Sequence, residues 1–293
     1  MGVSLKEYRR VVNWRDTMNY AAAIGDNNAR YFDDEHTSGI VAPPMFSVAA
    51  TWPIVENLAD YLAADGFPIG ILRTQVHFSE YLEFHSPIKP GEELRIKGTI
   101  AAILPHRAGT HIILRFDATN QYEQPVFTEY FGGLMRGVSC EDEGAGSESI
   151  PIIPPAPDTT VPEWEKMIGI DALRSYIYDG CTNIFFPIHT SRKFAHDVGL
   201  PGILLQGTAT LAYAARELVN NNGNGDPCCL EALSCRFTGM VLPDTNILVQ
   251  LMGHVDQTRH TDLYFRVMGE QDQLVINHGY ARLKKAGNIE DGT

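Results

Sequence analysis

Apolar and polar residues alternate along ELRIKGTIAAIL (93–104) and THIILRFDAT (110–119), the two-residue period of a half-buried strand. ILRTQVHF (71–78) and PVFTEYFGGLMR (125–136) complete a first set of four strand-like runs. A second set follows at EALSCRF (231–237), NILVQLMGHV (246–255), TDLYFRVM (261–268) and LVINHGYARL (274–283). Ahead of each set the apolar period lengthens to that of a helix. PIVENLADYLAADG (53–66) and GTATLAYAARELVN (207–220) are the predicted helices, the second with Leu211, Ala215, Leu218 and Val219 on one face. Gly66 and Asn222-Gly223 supply their stops.

The same order of features occurs twice. A helical stretch YAAAIGDNN (20–28) precedes the turn region SGIVAPP (38–44), and SYIYDGCTN (175–183) precedes VGLPGILLQG (198–207). SPIKPGEELRI (86–96) and GMVLPDTNILV (239–249) occupy matching places, with Pro90 against Pro243 at the turn into the second strand. Between the copies, residues 140–163 turn from acidic to proline-rich, with Pro151, Pro154, Pro155, Pro157 and Pro162, and read as an extended linker. The units are therefore expected at 1–139 and 164–293. A helix followed by an antiparallel meander, twice, predicts an α+β fold, the double hot-dog, in which each sheet wraps its helix and two sheet edges join.

Composition narrows the function. The chain has 293 residues, 44% of them hydrophobic, enough for one large core or two. Its 23 Lys and Arg against 36 Asp and Glu give a net charge of −13 with no basic block, which disfavours nucleic acid as a partner. No apolar run approaches a membrane span, MGVSLKEYRRVVNW lacks the core of a signal peptide, and NIEDGT is not a peroxisomal address, so the expected compartment is the cytosol. Cys140, Cys181, Cys228, Cys229 and Cys235 form no CxxC pair and read as reduced thiols. His77, His85, His106, His111, His254, His260 and His278 lie singly, without the spacing of metal ligands, and no phosphate-cradling glycine loop is present. No metal and no cofactor is expected.

GCTNIFFPIHTSRKFAHDVGLPGILLQGTATLAYA (180–214) resembles the signature of the MaoC-like (R)-specific enoyl-CoA hydratases and dehydratases, the hydratase 2 family. Pro187, Ile188, His189 and Thr190 match its Pro-Ile-His-Thr run, and Gly199, Pro201, Ile203, Leu204 and Gly207 match the turn and helix entry. AIGDNNARYFDDEHTSGIVAPPMF (23–46) resembles the non-catalytic partner domain of that superfamily. The resemblance covers nearly the whole chain and implies a hydro-lyase acting on an enoyl or 3-hydroxyacyl thioester, or on a polyketide-like intermediate. A homodimer is compatible with it. In the family wording an Asp stands six positions before the His and an Asn three before it; here those places hold Asn183 and Phe186.

The resemblance implies His189 as base and acid, Asn183 in place of the carboxylate, and the N–H of Gly207 as donor to the thioester oxygen. Gln206 and Thr208 flank that donor and are expected against the substrate. Phe186 either dries the pocket or packs the core, and Cys181 either lines the pocket or packs. Asp179 either replaces the missing carboxylate or caps a helix. Asp26, Asn28 and Tyr31 are the first-half counterparts, with Tyr31 where a catalytic His would stand, and are expected to shape the substrate tunnel. Arg192, Lys193, Arg236, Arg282, Lys284 and Lys285 are the cations available to CoA phosphates. Two other readings stay open: a biosynthetic enzyme that cyclises, isomerises or adds to a non-CoA substrate, favoured by the missing Asp, and a non-catalytic acyl-binding subunit.

Overall fold

A computed structural model describes residues 2–62 and 67–285. Ten strands form one sheet: β1 (Tyr8–Val11), β2 (Gln75–Phe84), β3 (Glu93–His106), β4 (Gly109–Thr119), β5 (Pro125–Arg136), β6 (Trp164–Ile170), β7 (Leu230–Phe237), β8 (Thr245–Asp256), β9 (His260–Met268) and β10 (Leu274–Lys284). Their order across the sheet is β1-β3-β4-β5-β2-β7-β10-β9-β8-β6, and every pairing is antiparallel. Read inward from either edge, the two halves have the same connectivity. They meet at β2 and β7, in register from Ser79↔Arg236 to Glu83↔Ala232. This is the expected double hot-dog, joined along one edge of each sheet.

The helices are α1 (Trp14–Ala23), α2 (Ala29–Phe32), α3 (Phe46–Glu56), α4 (Leu58–Tyr61), α5 (Arg174–Thr182), α6 (Arg192–Asp197) and α7 (Gly207–Asn222). Helix α7 buries Leu211, Leu218 and Val219 and stops at Gly223, so sequence and structure agree within two residues. Its first-half equivalent does not start at Pro53. Helix α3 begins at Phe46 and carries Pro53 inside it. A proline there leaves the carbonyl four residues earlier without its usual donor. Arg10 Nη1 supplies one, 2.6 Å from the Ala49 oxygen. The stop assigned to Gly66 lies outside the described residues.

Other boundaries shift for local reasons. The helical stretch expected at 20–28 breaks at Gly25, whose φ of +60° is left-handed, and resumes as α2 after the Asn28 cap. Residues 71–74 belong to a 3-10 turn, and β2 starts at Gln75. Strands β1 and β6 are additional to the eight expected. They are the two sheet edges, where apolarity does not follow burial: Val11 and Met167 are 64% and 59% exposed, while Arg10 takes a more buried position of β1. Residues 140–163 contain only a three-residue 3-10 turn at Ser147–Ser149 and a bridge from Ala145 to Ile103.

One core runs through both halves, from Ile96, Leu114 and Phe127 across Leu82 and Leu233 to Leu211, Val249 and Phe265. Leu82 and Leu233 face each other across the β2–β7 seam, both fully buried. Leu82→Ala should cost about 2–5 kcal/mol in urea unfolding, the usual span for such a truncation. Both halves should unfold in one transition, and two separated transitions by fluorescence and circular dichroism would show that the seam does not couple them.

Candidate active site

The segment entering α7 is held extended, Leu204 N–H donating to Ile188 and Leu205 N–H to Val241. Gln206 then caps the helix by its backbone alone. The first N–H groups of a helix have no intrahelical acceptor. Those of Gly207 and Thr208 meet no acceptor among the described residues, whereas Ala209 and Thr210 already donate to Gln206 O. Two adjacent donors at the positive end of a 16-residue helix make an anion-stabilising position. A Cβ on Gly207 would come within 3.1 Å of the Phe237 ring, so glycine lets the helix start sit directly on β7.

The equivalent helix start in the first half offers no such donors. Phe46 and Ser47 N–H groups are spent on the carbonyls of Pro43 and Pro44. The prolines of IVAPP therefore close in one half the position that remains open in the other.

His189 ends a short 3-10 turn, Pro187–His189. Its Nδ1 lies 2.8 Å from the Leu204 carbonyl oxygen. A carbonyl only accepts, so Nδ1 carries the proton and Nε2 keeps its lone pair. Burial pushes the imidazole down to about 4, against the opposing effect of that hydrogen bond. His189 is thus a neutral imidazole tied to the extended segment that delivers Gly207 three residues later. No carboxylate contributes to its shift.

Tertiary packing adds groups that the local pattern did not single out. Ser175 Oγ donates to the same Leu204 oxygen, at 3.1 Å, and Gln206 Nε2 donates to Ser175 O. Gln206 is buried, and its Oε1 has no partner among the described residues. Tyr178 hydroxyl donates to Thr208 Oγ1 at 3.1 Å and lies 2.9 Å from the Tyr20 hydroxyl. The two tyrosines meet edge to face, so one residue from each half fixes the start of α7. The signal available in advance was a tyrosine in the helical part of both copies.

Asn183 is placed differently from the expectation. It caps α5 with a left-handed φ of +58°, and its exposed side chain makes no hydrogen bond among the described residues. The structure does not bring its amide to His189 by any hydrogen bond. Asn tolerates this backbone geometry better than most residues, which accounts for its presence. Asp179, one turn earlier, is half-buried with Oδ1 unpartnered, and burial and then Glu56 push its carboxyl up. It faces Glu56 of α3 and leaves no electrostatic trace on His189. Phe186 is 41% exposed with its ring edge-on to Phe194, and so lies outside the buried core. Cys181 packs half-buried against the core.

Asp26, Asn28 and Tyr31 are not brought to His189. Asn28 Nδ2 donates to Gly225 O, Asp26 Oδ1 accepts from Asn28 N–H, and Tyr31 is buried with Val41 and Cys228. Burial raises the Asp26 carboxyl. This cluster adjoins Val41–Pro44, Phe84 and Leu230, the end of the β2–β7 seam opposite Phe237. Of the cations considered for CoA, Arg282 and Lys285 are paired with Asp262 and Asp256, and Lys193 with Asp197. Lys284 lies at the far pocket, while Arg192 and Arg236 are exposed. The described residues hold no cluster of metal-ligating side chains and no helix long and apolar enough to cross a membrane.

Known proteins resemble this chain in sequence and in fold. Residues 1–129 match the FAS1-like dehydratase domain region, and residues 160–267 match the MaoC like domain. The MaoC like match falls in the second half of the chain. Enoyl-CoA hydratase 2, peroxisomal, of Arabidopsis thaliana is 25% identical over 267 residues, 84% of each chain. Peroxisomal multifunctional enzyme type 2 of Drosophila melanogaster is 24% identical over 292 residues, 94% of this chain and 46% of that protein. The chain thus spans less than half of that multifunctional relative. The structure of a MaoC-like dehydratase from Phytophthora capsici superimposes with a TM-score of 0.83 at 18% identity, over 97% of both chains. His189 and Gly207 both lie within the MaoC-like match.

The depressed basicity of His189 has a measurable consequence. Between about pH 6.5 and about 4 the unfolded chain binds a proton at this residue and the folded chain does not. Stability from this source is therefore lost as pH falls through that window. His189→Gln should flatten the pH dependence of unfolding free energy by about one proton relative to the parent. His77 and His111, lowered by burial to about 3 and about 4, remain in both proteins. An unchanged slope would mean that His189 titrates normally.

Proposed function

We propose that the chain is a hydro-lyase that adds water to, or removes it from, an enoyl or 3-hydroxyacyl thioester. One observation carries this reading: a neutral histidine, anchored to the Leu204 carbonyl and with no partner on Nε2 among the described residues, is tied to the segment that three residues later leads into two N–H donors, Gly207 and Thr208, without acceptors among those residues. A base alone does not polarise a conjugated thioester, and a donor pair alone does not move protons. Together they meet the requirements of hydration.

In the hydration direction the thioester oxygen accepts from the two N–H groups. Water loses a proton to His189 Nε2 as its oxygen bonds to C3. The double-bond electrons move towards C2 and the carbonyl, and the enolate oxygen is held at the start of α7. The imidazolium then returns its proton to C2, restoring neutral His189 and completing the addition of one water. Burial makes that imidazolium a strong acid, which favours the return step. Dehydration is the same sequence reversed.

In this reading Asn183 is a helix cap, and His189 takes the proton from water and returns it to C2 without a carboxylate partner. The matched dehydratase domains and the hydratase 2 relative support the thioester as substrate. The acyl-binding-subunit alternative leaves the free Nε2 and the open donor pair without a role.

His189→Ala should lower kcat/KM on a short 2-enoyl-CoA by about 10²- to 10⁴-fold while leaving thermal unfolding nearly unchanged at pH 7. Full activity in that variant would remove His189 from the reaction. Asn183→Asp should change the rate by less than about threefold, because an exposed group exerts a weak, screened influence. A rise of tenfold or more would instead place position 183 at the reacting water.

A further inference from the structure

Tyr20 and Tyr178 are fully buried where the halves meet, on α1 and α5, the helices that precede the two helix entries. Their hydroxyls lie 2.9 Å apart. Each phenol has one proton to give. Tyr178 gives its own to Thr208 Oγ1, so the contact between the tyrosines is made by Tyr20 donating and Tyr178 accepting. The three hydroxyls form a one-way chain that runs from the first half into the first turn of α7. Bonds in such a chain polarise and strengthen one another.

The chain is one-sided although the fold is nearly two-fold. Ser47 is the second residue of α3, as Thr208 is of α7, and the Tyr20 ring meets Phe46, the first residue of α3, edge to face at 6.1 Å. A symmetric pair would have each tyrosine bond the helix start of its own half. Ser47 instead turns its hydroxyl to Pro44 O at 3.0 Å, and Tyr20 bonds across the junction. Both phenols thus serve the helix start whose N–H groups meet no acceptor among the described residues, and neither bonds the one whose N–H groups are taken.

The first N–H groups of a helix make no intrahelical bond, so contacts from outside the helix must aim their peptide planes. Gly207 has the Phe237 ring beneath it. Thr208 is β-branched, with few χ1 choices, so a hydrogen bond to its Oγ1 also fixes the backbone that carries its N–H. We propose that Tyr178, and Tyr20 through it, are positioning residues of the hydration step, which aim the Thr208 N–H at the thioester oxygen by holding Thr208 Oγ1. This rests on the hydro-lyase reading of the site, and it gives the first half a part in the reaction although that half carries no base. Neither phenol has to reach the substrate. A preformed donor contributes most in the transition state, when charge develops on the oxygen, so loss of the chain falls on kcat.

Steady-state hydration of a short 2-enoyl-CoA by the full chain tests this. Tyr178→Phe and Thr208→Val, which keep the ring and the branched shape, should each lower kcat by about 10- to 100-fold and move KM by less than about threefold, somewhat short of the loss for removing a donor outright. Thr208→Ser keeps the accepting oxygen and should stay within about threefold of the parent. Tyr20→Phe leaves the bond from Tyr178 to Thr208 in place and should lower kcat less, by about three- to tenfold. Adding either tyrosine variant to Thr208→Val should lower kcat by no more than about a further twofold, because both tyrosines act through Thr208. Ser47→Ala, on the side the chain does not serve, should keep kcat within about twofold of the parent. If Tyr178→Phe does not fold, Tyr20→Phe and its combination with Thr208→Val carry the same test. Full kcat in Thr208→Val and the tyrosine variants, losses that multiply in the double variants, a rise in KM with kcat unchanged, or a loss in Thr208→Ser or Ser47→Ala as deep as in Thr208→Val overturns the positioning role and leaves the proposed function standing. A parent that hydrates no enoyl-CoA, or whose activity survives His189→Ala, overturns the hydro-lyase reading, and the positioning role with it.

Discussion

The antiparallel pairing of β2 with β7 is the constraint on which the molecule depends. Each half alone would present an unpaired strand edge beside an incompletely covered helix. Joining the edges from Ser79↔Arg236 to Glu83↔Ala232 turns two five-stranded sheets into one, and lets Leu82 and Leu233 close a single core. It also brings residues distant in sequence to the start of α7. His77 reaches Phe237 only because their strands are neighbours, and Tyr20 reaches Tyr178 only because α1 and α5 pack across the same junction.

Near-symmetry of the two halves makes their chemical difference readable. Both have a helix entered from an extended, glycine- and proline-containing segment. In the second half, Gln206 caps with its backbone and leaves Gly207 and Thr208 with free N–H groups. In the first, Pro43 and Pro44 present carbonyls that absorb the corresponding donors of Phe46 and Ser47. Tyr31, the expected first-half counterpart of His189, is buried against Val41 and Cys228. At one end of the seam two N–H groups of a helix start have no backbone acceptor among the described residues, and at the other the corresponding pair is taken by proline carbonyls.

Base and donors also share their support. Leu204 O receives hydrogen bonds from His189 Nδ1 and Ser175 Oγ, and two residues later Gln206 is tied to Ser175 O. The tautomer of His189 and the position of the first turn of α7 are consequently set by one short extended segment. A fixed tautomer and fixed donors lower the reorganisation needed during reaction.

The amino-acid sequence by itself determined the repeat, the four inner strands of each half and helix α7, because alternation, a 3.6-residue apolar face and glycine stops act locally. It also singled out His189 and Gly207 through their spacing in the Pro-Ile-His-Thr and helix-entry wording. Edge strands β1 and β6 escaped because apolar residues such as Val11 and Met167 occupy exposed positions there, and the start of α3 escaped because a distant Arg10 compensates for Pro53. Tertiary structure alone decided that Asn183 is a left-handed cap, that Asp26, Asn28 and Tyr31 stand at the opposite end of the seam, and that His77 meets Glu80. Spacing along a chain reports which residues share a turn or a face. Which faces meet is settled by strand register and helix packing between segments more than a hundred residues apart, and no local pattern encodes that.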